Sequence, residues 1–482
     1  MKNKKIFIYS LIIILSILSI IGISFGFYMM RINGNTNTKS VEVTAVDKKV
    51  KYIEYSTGGT NYLSLGKEYT RWFTVENIGD GPVTYHIYLD NVSNNFIRKY
   101  DITYILYRKL AGAIDVSLKG YEVVATGVFP STNNYLAINE VLNDKSDEMT
   151  TGLYTYALKI KYNLSNAEKQ DDDQGHSINY KIQIHGEIKN PFTSGTLAYK
   201  ILDSAINSDN TNGSALFRTK STDKTDEASL ISTVDDYGVS YYYRGAVKNN
   251  YVNFAGMCFR IVRIEGDGAV KLILEDNSAT CNSSSYTGNW RISDLLQNTY
   301  SDTLSSFLSS SLVSSFKSWQ TSLNTYINSG KLKNDEWCFD NYLRYEDQED
   351  GSVNSDGSGM STKAKYYGKL NNTFICLGSK YTKYRDNSKS YVATLTDDEI
   401  ILGKGNASKS YFINDTFDSH WWSMSLNDWQ RTNAGYTYNL LYKNAIASWN
   451  SGKSNVRPVI TLVKNIRPTS GDGTKNNPYQ IN

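Results

Sequence analysis

An apolar segment near the N-terminus constrains this chain more than any other feature of its sequence. Residues 6–30 carry no charged side chain, and a helix of about 25 residues is long enough to cross the roughly 30 Å hydrocarbon core of a bilayer. Lys2, Lys4 and Lys5 precede the segment, and Arg31 follows it. Because positive residues stay on the cytoplasmic side, we predict a cytoplasmic tail over 1–5, a single transmembrane signal-anchor over 6–30 and an extracellular remainder.

Cleavage of this segment is an open alternative. The tripeptide Ser24-Phe25-Gly26 has the small-x-small form of a signal-peptidase site, but the apolar run is longer than the usual apolar h-region of a signal peptide, about 7 to 15 residues. In both cases the segment predicts export from the cytoplasm. We therefore predict a protein of the cell membrane with a C-terminal ectodomain outside the cell.

Charge and cysteine content agree with that location. The chain has 51 Lys+Arg against 48 Asp+Glu, with no basic cluster beyond the first five residues, so we predict no nucleic-acid partner. Its cysteines form an even set of four, which predicts disulfides in an exported protein. Sequential pairing, Cys258 with Cys281 and Cys338 with Cys376, is the preferred arrangement, and four separate buried thiols are the alternative.

Alternating apolar and polar residues predict an antiparallel β-sandwich over 41–190, after a short polar stalk over 31–40. The runs 69–76 and 83–89 flank a turn rich in Gly, Asp and Pro, as a β-hairpin requires. Further alternating runs lie at 102–108, 121–125, 152–162 and 178–188. The polar segment 191–234, which includes a short helical pattern, is predicted to connect two domains.

The second domain, 235–482, is predicted to be α+β. Apolar strands flank the turn Gly266-Asp267-Gly268, where glycine accommodates positive φ. Apolar residues then recur every three or four positions from Leu295 to Tyr326, which predicts one or two amphipathic helices. Thr396 and Glu399 have the spacing of a helix capping box. The whole chain is therefore predicted to be mainly β, with helices in its C-terminal half.

Four motifs in this half carry a resemblance to a known extracellular module. They are FAGMCFRIVRIEGDGAVKLIL, TLTDDEIILGKG, HWWSMSLNDW and the terminal SNVRPVITL with GDGTKNNPYQI. Together they resemble a module of surface proteins from low-GC Gram-positive bacteria, which is similar to the C-type-lectin and formylglycine-generating-enzyme (sulfatase-modifying-factor) fold. The segment FTVENIGDGPVTYHIYL resembles the β-sandwich of camelysin-like and biofilm fibre proteins. These resemblances imply a lectin-like domain displayed on a sandwich.

The sequence predicts neither a metal site nor a cofactor nor a catalytic residue. The four histidines are not spaced as zinc ligands, and the common serine-hydrolase motifs are absent. Resemblance to a formylglycine-generating oxidase implies a role for Cys338 and Cys376, but their apolar neighbours would raise a thiol pKa. A structural disulfide is the preferred interpretation, and the oxidase remains the less favoured alternative.

One segment rich in aromatic residues is the candidate ligand site. It contains Asp418, His420, Trp422, Asn427 and Trp429, which combine aromatic faces with hydrogen-bonding groups as carbohydrate and peptide sites do. Trp421 and Trp422 would point to opposite faces of a strand, so one is expected in the core, although both could be buried. Arg457 is expected to make a structural ion pair or carbonyl contact.

These features favour ligand binding or adhesion without catalysis, with a glycan or a protein as the ligand and the membrane contacted through 6–30. A structural subunit of a surface fibre or biofilm matrix is the alternative.

Overall fold

The computed structural model gives the fold of most of the segments that the sequence predicts to be ordered. It describes residues 29–33, 41–45, 48–55, 62–79, 81–110, 114–142, 152–164, 173, 176–188, 190–219, 228–281, 293–297, 309–335, 337–340, 374, 383–385, 390–404, 410–411, 421–428, 437–442, 445–447 and 453–482. The chain is mainly β and divides into two compact units, Met1–Lys189 and Asn190–Asn482.

The first unit consists of two sheets. Its strands are β1 (Met29–Asn33), β2 (Val41–Ala45), β3 (Lys48–Tyr55), β4 (Tyr62–Ser64), β5 (Glu68–Asn77), β6 (Val83–Asn94), β7 (Ile102–Leu110), β8 (Glu122–Val128), β9 (Asn134–Leu142), β10 (Leu153–Tyr162) and β11 (Ser177–His185), with a 3-10 turn at Lys99–Asp101. One sheet has the order β4-β1-β11-β6-β9 and the other β2-β3-β5-β10-β7-β8. Neighbouring strands are antiparallel except β1 and β11, which are parallel.

The prediction that 69–76 and 83–89 form a hairpin was wrong, because the two strands pair with other strands and not with each other. Strands β5 and β6 lie in different sheets and face a shared core, which includes Phe73, Val75, Tyr85 and Ile87. Because alternate residues of a strand point to opposite faces, each sheet turns one apolar face inward. The two layers therefore form the sandwich that the sequence predicts.

The N-terminal boundary differs from the sequence prediction. Met29 and Met30, the last residues of the predicted anchor, lie in β1, as do residues 31–33 of the predicted stalk. The rest of the anchor lies outside the described residues. Among the helices that the structure describes, none has both the length and the apolar character needed to cross a bilayer.

The second unit combines two further sheets with short helices. Its strands are β12 (Leu216–Arg218), β13 (Ser229–Asp235), β14 (Gly238–Arg244), β15 (Tyr251–Phe254), β16 (Met257–Ile264), β17 (Val270–Asp276), β18 (Ser293–Gln297), β19 (Cys338–Asp340), β20 (Lys383–Arg385), β21 (Val392–Ala393), β22 (Trp421–Asp428), β23 (Thr437–Tyr442), β24 (Ala445–Ala447), β25 (Lys453–Val456), β26 (Val459–Leu462) and β27 (Tyr479–Ile481). Its helices are α1 (Leu197–Ile206), α2 (Ser311–Gln320), α3 (Asn324–Asn328) and α4 (Asp397–Lys404), with 3-10 turns at Thr211–Gly213 and Thr321–Leu323.

The main sheet of this unit has the order β12-β13-β14-β16-β17-β26-β21, and β15 and β27 join it beside β16. A second sheet has the order β18-β25-β22-β19-β20, with β23 and β24 attached to β22. β25 in the second sheet and β26 in the main sheet are separated only by Arg457 and Pro458. Arg457 therefore stands where the chain passes from one sheet to the other.

The described parts of the predicted connector belong to the second unit. Thr196 caps α1 by accepting a hydrogen bond from the Tyr199 amide, and Leu197, Ile201 and Leu202 of this helix are fully buried in the unit's core. Strands β12 and β13 extend the main sheet. The described residues of 191–234 therefore form packed elements of the second unit, although the composition of this segment is polar.

Helix predictions in this unit were partly right. Leu312, Val313 and Phe316 of α2 are buried, as the helical spacing predicts. Leu295 and Leu296 lie instead in strand β18, so the helical interpretation of that part was wrong. The predicted capping box is confirmed, because the Glu399 amide donates to Thr396 Oγ1 at 3.3 Å and the Thr396 amide donates to a Glu399 carboxylate oxygen at 3.1 Å.

Candidate functional site

The predicted ligand segment lies around strand β22. Trp422 and Asn427 belong to this strand, and the positions of their side chains lie outside what the structure describes. Asp418, His420 and Trp429 are also outside the described residues. The structure therefore gives the strand on which part of the candidate site is carried, together with the surroundings of its first residue, Trp421.

Trp421 is fixed in the core against a buried arginine. Its side chain is buried, and the guanidinium of Arg457 lies over its ring, 4.9 Å from the ring centroid. Arg457 also pairs with Glu275 at 2.9 Å and donates to the Leu274 carbonyl at 2.7 Å. The ion pair and carbonyl contact expected for Arg457 are confirmed. These contacts attach the start of β22 to strand β17 of the main sheet.

Arg457 is close to a second buried arginine. Burial lowers the pKa of Arg457 to about 10, with Arg260 adding to the decrease and Glu275 opposing it. Arg260 Nε donates to Asn250 Oδ1 at 2.7 Å, and the guanidinium lies 3.8 Å from the centre of the Tyr251 ring. Such arginine-aromatic stacking holds both planar groups in place. The region beside the candidate segment is therefore rigid and rich in aromatic and cationic groups.

A second polar group in this unit, here called the charge cluster, consists of eight ionisable residues. Its cations are Arg263, Lys271 and Lys333, and its carboxylates are Asp235, Glu265, Asp267, Asp335 and Glu399. Arg263 bonds to Asp235 at 2.6 Å, Lys271 to Glu399 at 2.7 Å and Lys333 to Glu265 at 2.6 Å. The cluster thereby joins β13, the β16–β17 hairpin, the segment before β19 and helix α4.

Burial and like charges give the carboxylates of this cluster different proton affinities. Burial raises the pKa of Asp235 to about 6, although Arg263 opposes the rise. Burial and the neighbouring Glu265 also raise the pKa of Asp335. The pKa of Glu265 is held below its usual range despite burial, because Lys333, Arg263 and Lys271 all face it. Asp235 and Asp335 therefore take up protons more readily than Glu265 does.

Sequence reasoning did not identify the charge cluster. Its signal is the presence of Arg263, Glu265 and Lys271 within strands and turns that are otherwise apolar. Charged side chains are rarely fully buried unless they are paired. Such residues in a run of core positions therefore indicate partners elsewhere in the chain. Those partners, including Lys333 and Glu399, are distant in sequence and could not be assigned from spacing.

A disulfide joins the two ends of the β16–β17 hairpin. Cys258 and Cys281 are bonded and buried beside Tyr251, which confirms this predicted pair. For Cys338 the structure describes only the strand, β19, and Cys376 lies outside the described residues. Within the described segments, no group of three or more His, Cys, Asp or Glu side chains is arranged to hold a metal ion.

Comparison with known proteins adds no relative of this chain. No family model matches the sequence, and no curated protein matches it. The resemblance to lectin-like and fibre modules therefore stays a prediction.

Proposed function

We propose that this chain is a membrane-anchored protein of the bacterial cell surface whose second unit, with a lectin-like fold, binds a glycan or protein ligand without catalysing a reaction. The observation that carries the proposal is the attachment of Trp421 to Arg457 and, through Glu275, to strand β17. A binding residue is most effective when rigid elements hold it in place. Strand β22, which carries Trp422 and Asn427, starts from such a support.

Two further features support a location outside the cytoplasm. The Cys258–Cys281 disulfide is typical of proteins that mature in an oxidising compartment. The uncharged run of residues before β1 is long enough to cross a bilayer as an anchor. Together with the positive residues at the N-terminus, they favour a single span with the rest of the chain outside.

The test compares the two adjacent tryptophans. The full chain is displayed on a Gram-positive host, and binding of the cells to a printed array of host and bacterial glycans is measured for wild type, Trp422→Ala and Trp421→Ala. We expect Trp422→Ala to reduce binding at least about tenfold, equal to about 1.4 kcal/mol, with an unchanged melting temperature. Trp421→Ala, in the core, should lower the melting temperature. Binding unaffected by Trp422→Ala, or unfolding of that variant, would contradict the assigned site.

A fibre subunit remains the second candidate, because the sandwich has an exposed edge. Strand β8 is at the end of its sheet, and Val123 on this strand is 56 % exposed. Exposed edges can pair with another chain. Concentration-dependent filaments of the full chain in negative-stain micrographs, lost in Val123→Lys, would favour this function over ligand binding.

A further inference from the structure

The N-terminal strand enters the sandwich at one particular end. Met29 of β1 lies opposite Ser64 at the end of β4, and Arg31 lies beside Ser177 at the start of β11. The chain that precedes Met29 therefore approaches the end of the sandwich where β4 finishes and β11 begins. We call this the proximal end and define it by turn 65–67, loop 95–101 and residues 163–164.

Hydrogen bonds hold these three segments together at the proximal end. The Gly66 amide donates to the Tyr162 carbonyl at 2.8 Å, and the Asn163 amide donates to the Asp101 carbonyl at 2.8 Å. The Asn95 amide donates to the Ser177 carbonyl at 3.1 Å, next to the start of β11. The loops at this end are thus fixed relative to the strand that receives the N-terminal chain.

The proximal end exposes apolar and basic side chains together. Ile97 is 59 % exposed and Leu164 is 68 % exposed, and Lys67 is exposed in the adjoining turn. The backbone under Ile97 is held by the buried Asp173, whose carboxylate accepts from the Ile97 amide at 2.5 Å. Ile97 is therefore held at the surface by a loop whose backbone is hydrogen-bonded to a buried carboxylate.

Apolar side chains next to basic ones are characteristic of protein surfaces that lie on membranes. The apolar ends enter the boundary between headgroups and acyl chains, and the cations face anionic lipid phosphates. Residues 6–28 of the apolar run precede β1. As a helix they would extend about 34 Å, and crossing the hydrocarbon core of about 30 Å would use nearly all of that length. No length is then left for a spacer between bilayer and sandwich.

We propose that the proximal end of the sandwich rests on the outer surface of the membrane, with Ile97 and Leu164 inserted at the lipid headgroups and Lys67 facing lipid phosphates. This inference rests on the membrane anchor of the proposed function. It makes the first unit a base that is seated on the lipid.

Photo-crosslinking of the full chain in vesicles tests the contact. The chain is reconstituted in vesicles of phosphatidylglycerol and phosphatidylethanolamine, with p-benzoylphenylalanine replacing Ile97, Leu164 or Val116, one at a time. Val116 is the matched control, because it is 80 % exposed but follows β7 at the opposite end of the sandwich. After irradiation, lipid adducts are counted by mass spectrometry of the protein.

The expected result is at least tenfold more lipid adduct at positions 97 and 164 than at position 116, with a decrease at both when Lys67→Glu is added. Equal adduct at all three positions, in a protein that floats with the vesicles, would overturn the docking proposal and leave the anchor intact. A chain that does not float with vesicles at alkaline pH would overturn the anchor, and the docking proposal with it.

Discussion

The two units of this chain differ in how many charges they bury together. In the first unit the buried charges form small contacts such as the ion pair of Arg71 with Glu54, and buried phenols also bond to each other: the Tyr85 and Tyr156 hydroxyls share a hydrogen bond, and burial keeps the pKa of both phenols well above the usual value. In the second unit eight ionisable groups form one charge cluster, with Asp235, Arg263 and Lys271 on strands of the main sheet. Neutral phenols need only a hydrogen bond, whereas buried charges need one another.

This difference predicts different sensitivities to pH. His86 in the first unit is buried, and burial together with the nearby His185 lowers its pKa to about 4. Asp235 in the second unit has a pKa raised to about 6, chiefly by burial. Acid destabilises a fold that holds a buried histidine neutral, and it stabilises a fold whose buried carboxyl takes up the proton. The two units should therefore differ in the direction, as well as the size, of their responses.

The largest expected effect is loss of the central cation of the charge cluster. Arg263→Met removes the cation paired with Asp235 and one of the cations paired with Glu265 and Glu399, and removing one partner from a buried ion pair costs about 3–5 kcal/mol. Urea unfolding followed by hydrogen exchange in β16 measures this loss. Lys464→Met, at an exposed position, is the control and should change stability by less than about 0.5 kcal/mol. A similarly small effect of Arg263→Met would show that the cluster does not hold the second unit together.

The disulfide gives the next largest expected effect, and it is confined to one unit. Cys258 and Cys281 are separated by 23 positions, and closing a loop of this size stabilises a fold by about 3 kcal/mol in the chain-entropy model. The double variant Cys258→Ser/Cys281→Ser should lose that amount from the second unit, measured by urea unfolding. Equal loss of protection in β10 of the first unit would mean that removing the disulfide destabilises both units.

A smaller effect is expected from pH itself. The raised pKa of Asp235 means that the folded second unit takes up protons more readily than the unfolded chain, so this contribution to stability is lost as pH rises through about 6. The raised pKa of Asp335 acts in the same direction. Glu265 and Glu399, with lowered pKa, act in the opposite direction only below their ordinary value of 4.5. The second unit should gain stability from pH 7 to pH 5. Asp235→Asn should reduce that gain.

The first unit should show the reverse in the same pH range. The lowered pKa of His86 makes its contribution to stability fully present above the ordinary value of 6.5, and it is lost as pH falls towards 4. His86→Phe should weaken this dependence while keeping an aromatic ring beside Tyr135. An unchanged pH response in the variant would exclude His86 as its source.

The smallest expected effect is removal of one phenol. Tyr156→Phe deletes a hydroxyl that bonds to Tyr85 and to Glu140, the latter at 3.3 Å, and a buried hydrogen bond contributes about 1 kcal/mol net. Urea unfolding of the first unit measures it, with Tyr107→Phe on a half-buried position as the control. A loss as large as that of Arg263→Met would erase the contrast between a single buried hydrogen bond and the charge cluster.

Patterns confined to neighbouring residues were predicted well from the sequence. The strand conformation of 69–76 and 83–89, the GDG turn and the Thr396–Glu399 cap depend on positions only a few residues apart. Leu295 and Leu296 show the limit, because short apolar runs suit strand and helix alike. Strand β18 owes its conformation to β25, more than a hundred residues away.

The site was less predictable because its contacts are distant in sequence. Arg457 could be expected to pair, but Glu275 and Trp421 could not be named as the groups it contacts. The charge cluster was missed because Lys333 and Glu399 acquire their role only when the fold brings them to Glu265 and Lys271. Long-range pairing of charges leaves no spacing rule in the sequence.

Hydrogen exchange of the full chain at pH 5 and pH 7 tests the contrast between the two interiors most directly. Protection factors, which correct for the intrinsic rate at each pH, are compared for β6 in the first unit and β16 in the second. We predict that on going from pH 7 to pH 5 protection rises in β16 and falls in β6. A change of the same sign in both strands would contradict the assignment of opposite proton linkage to the two units.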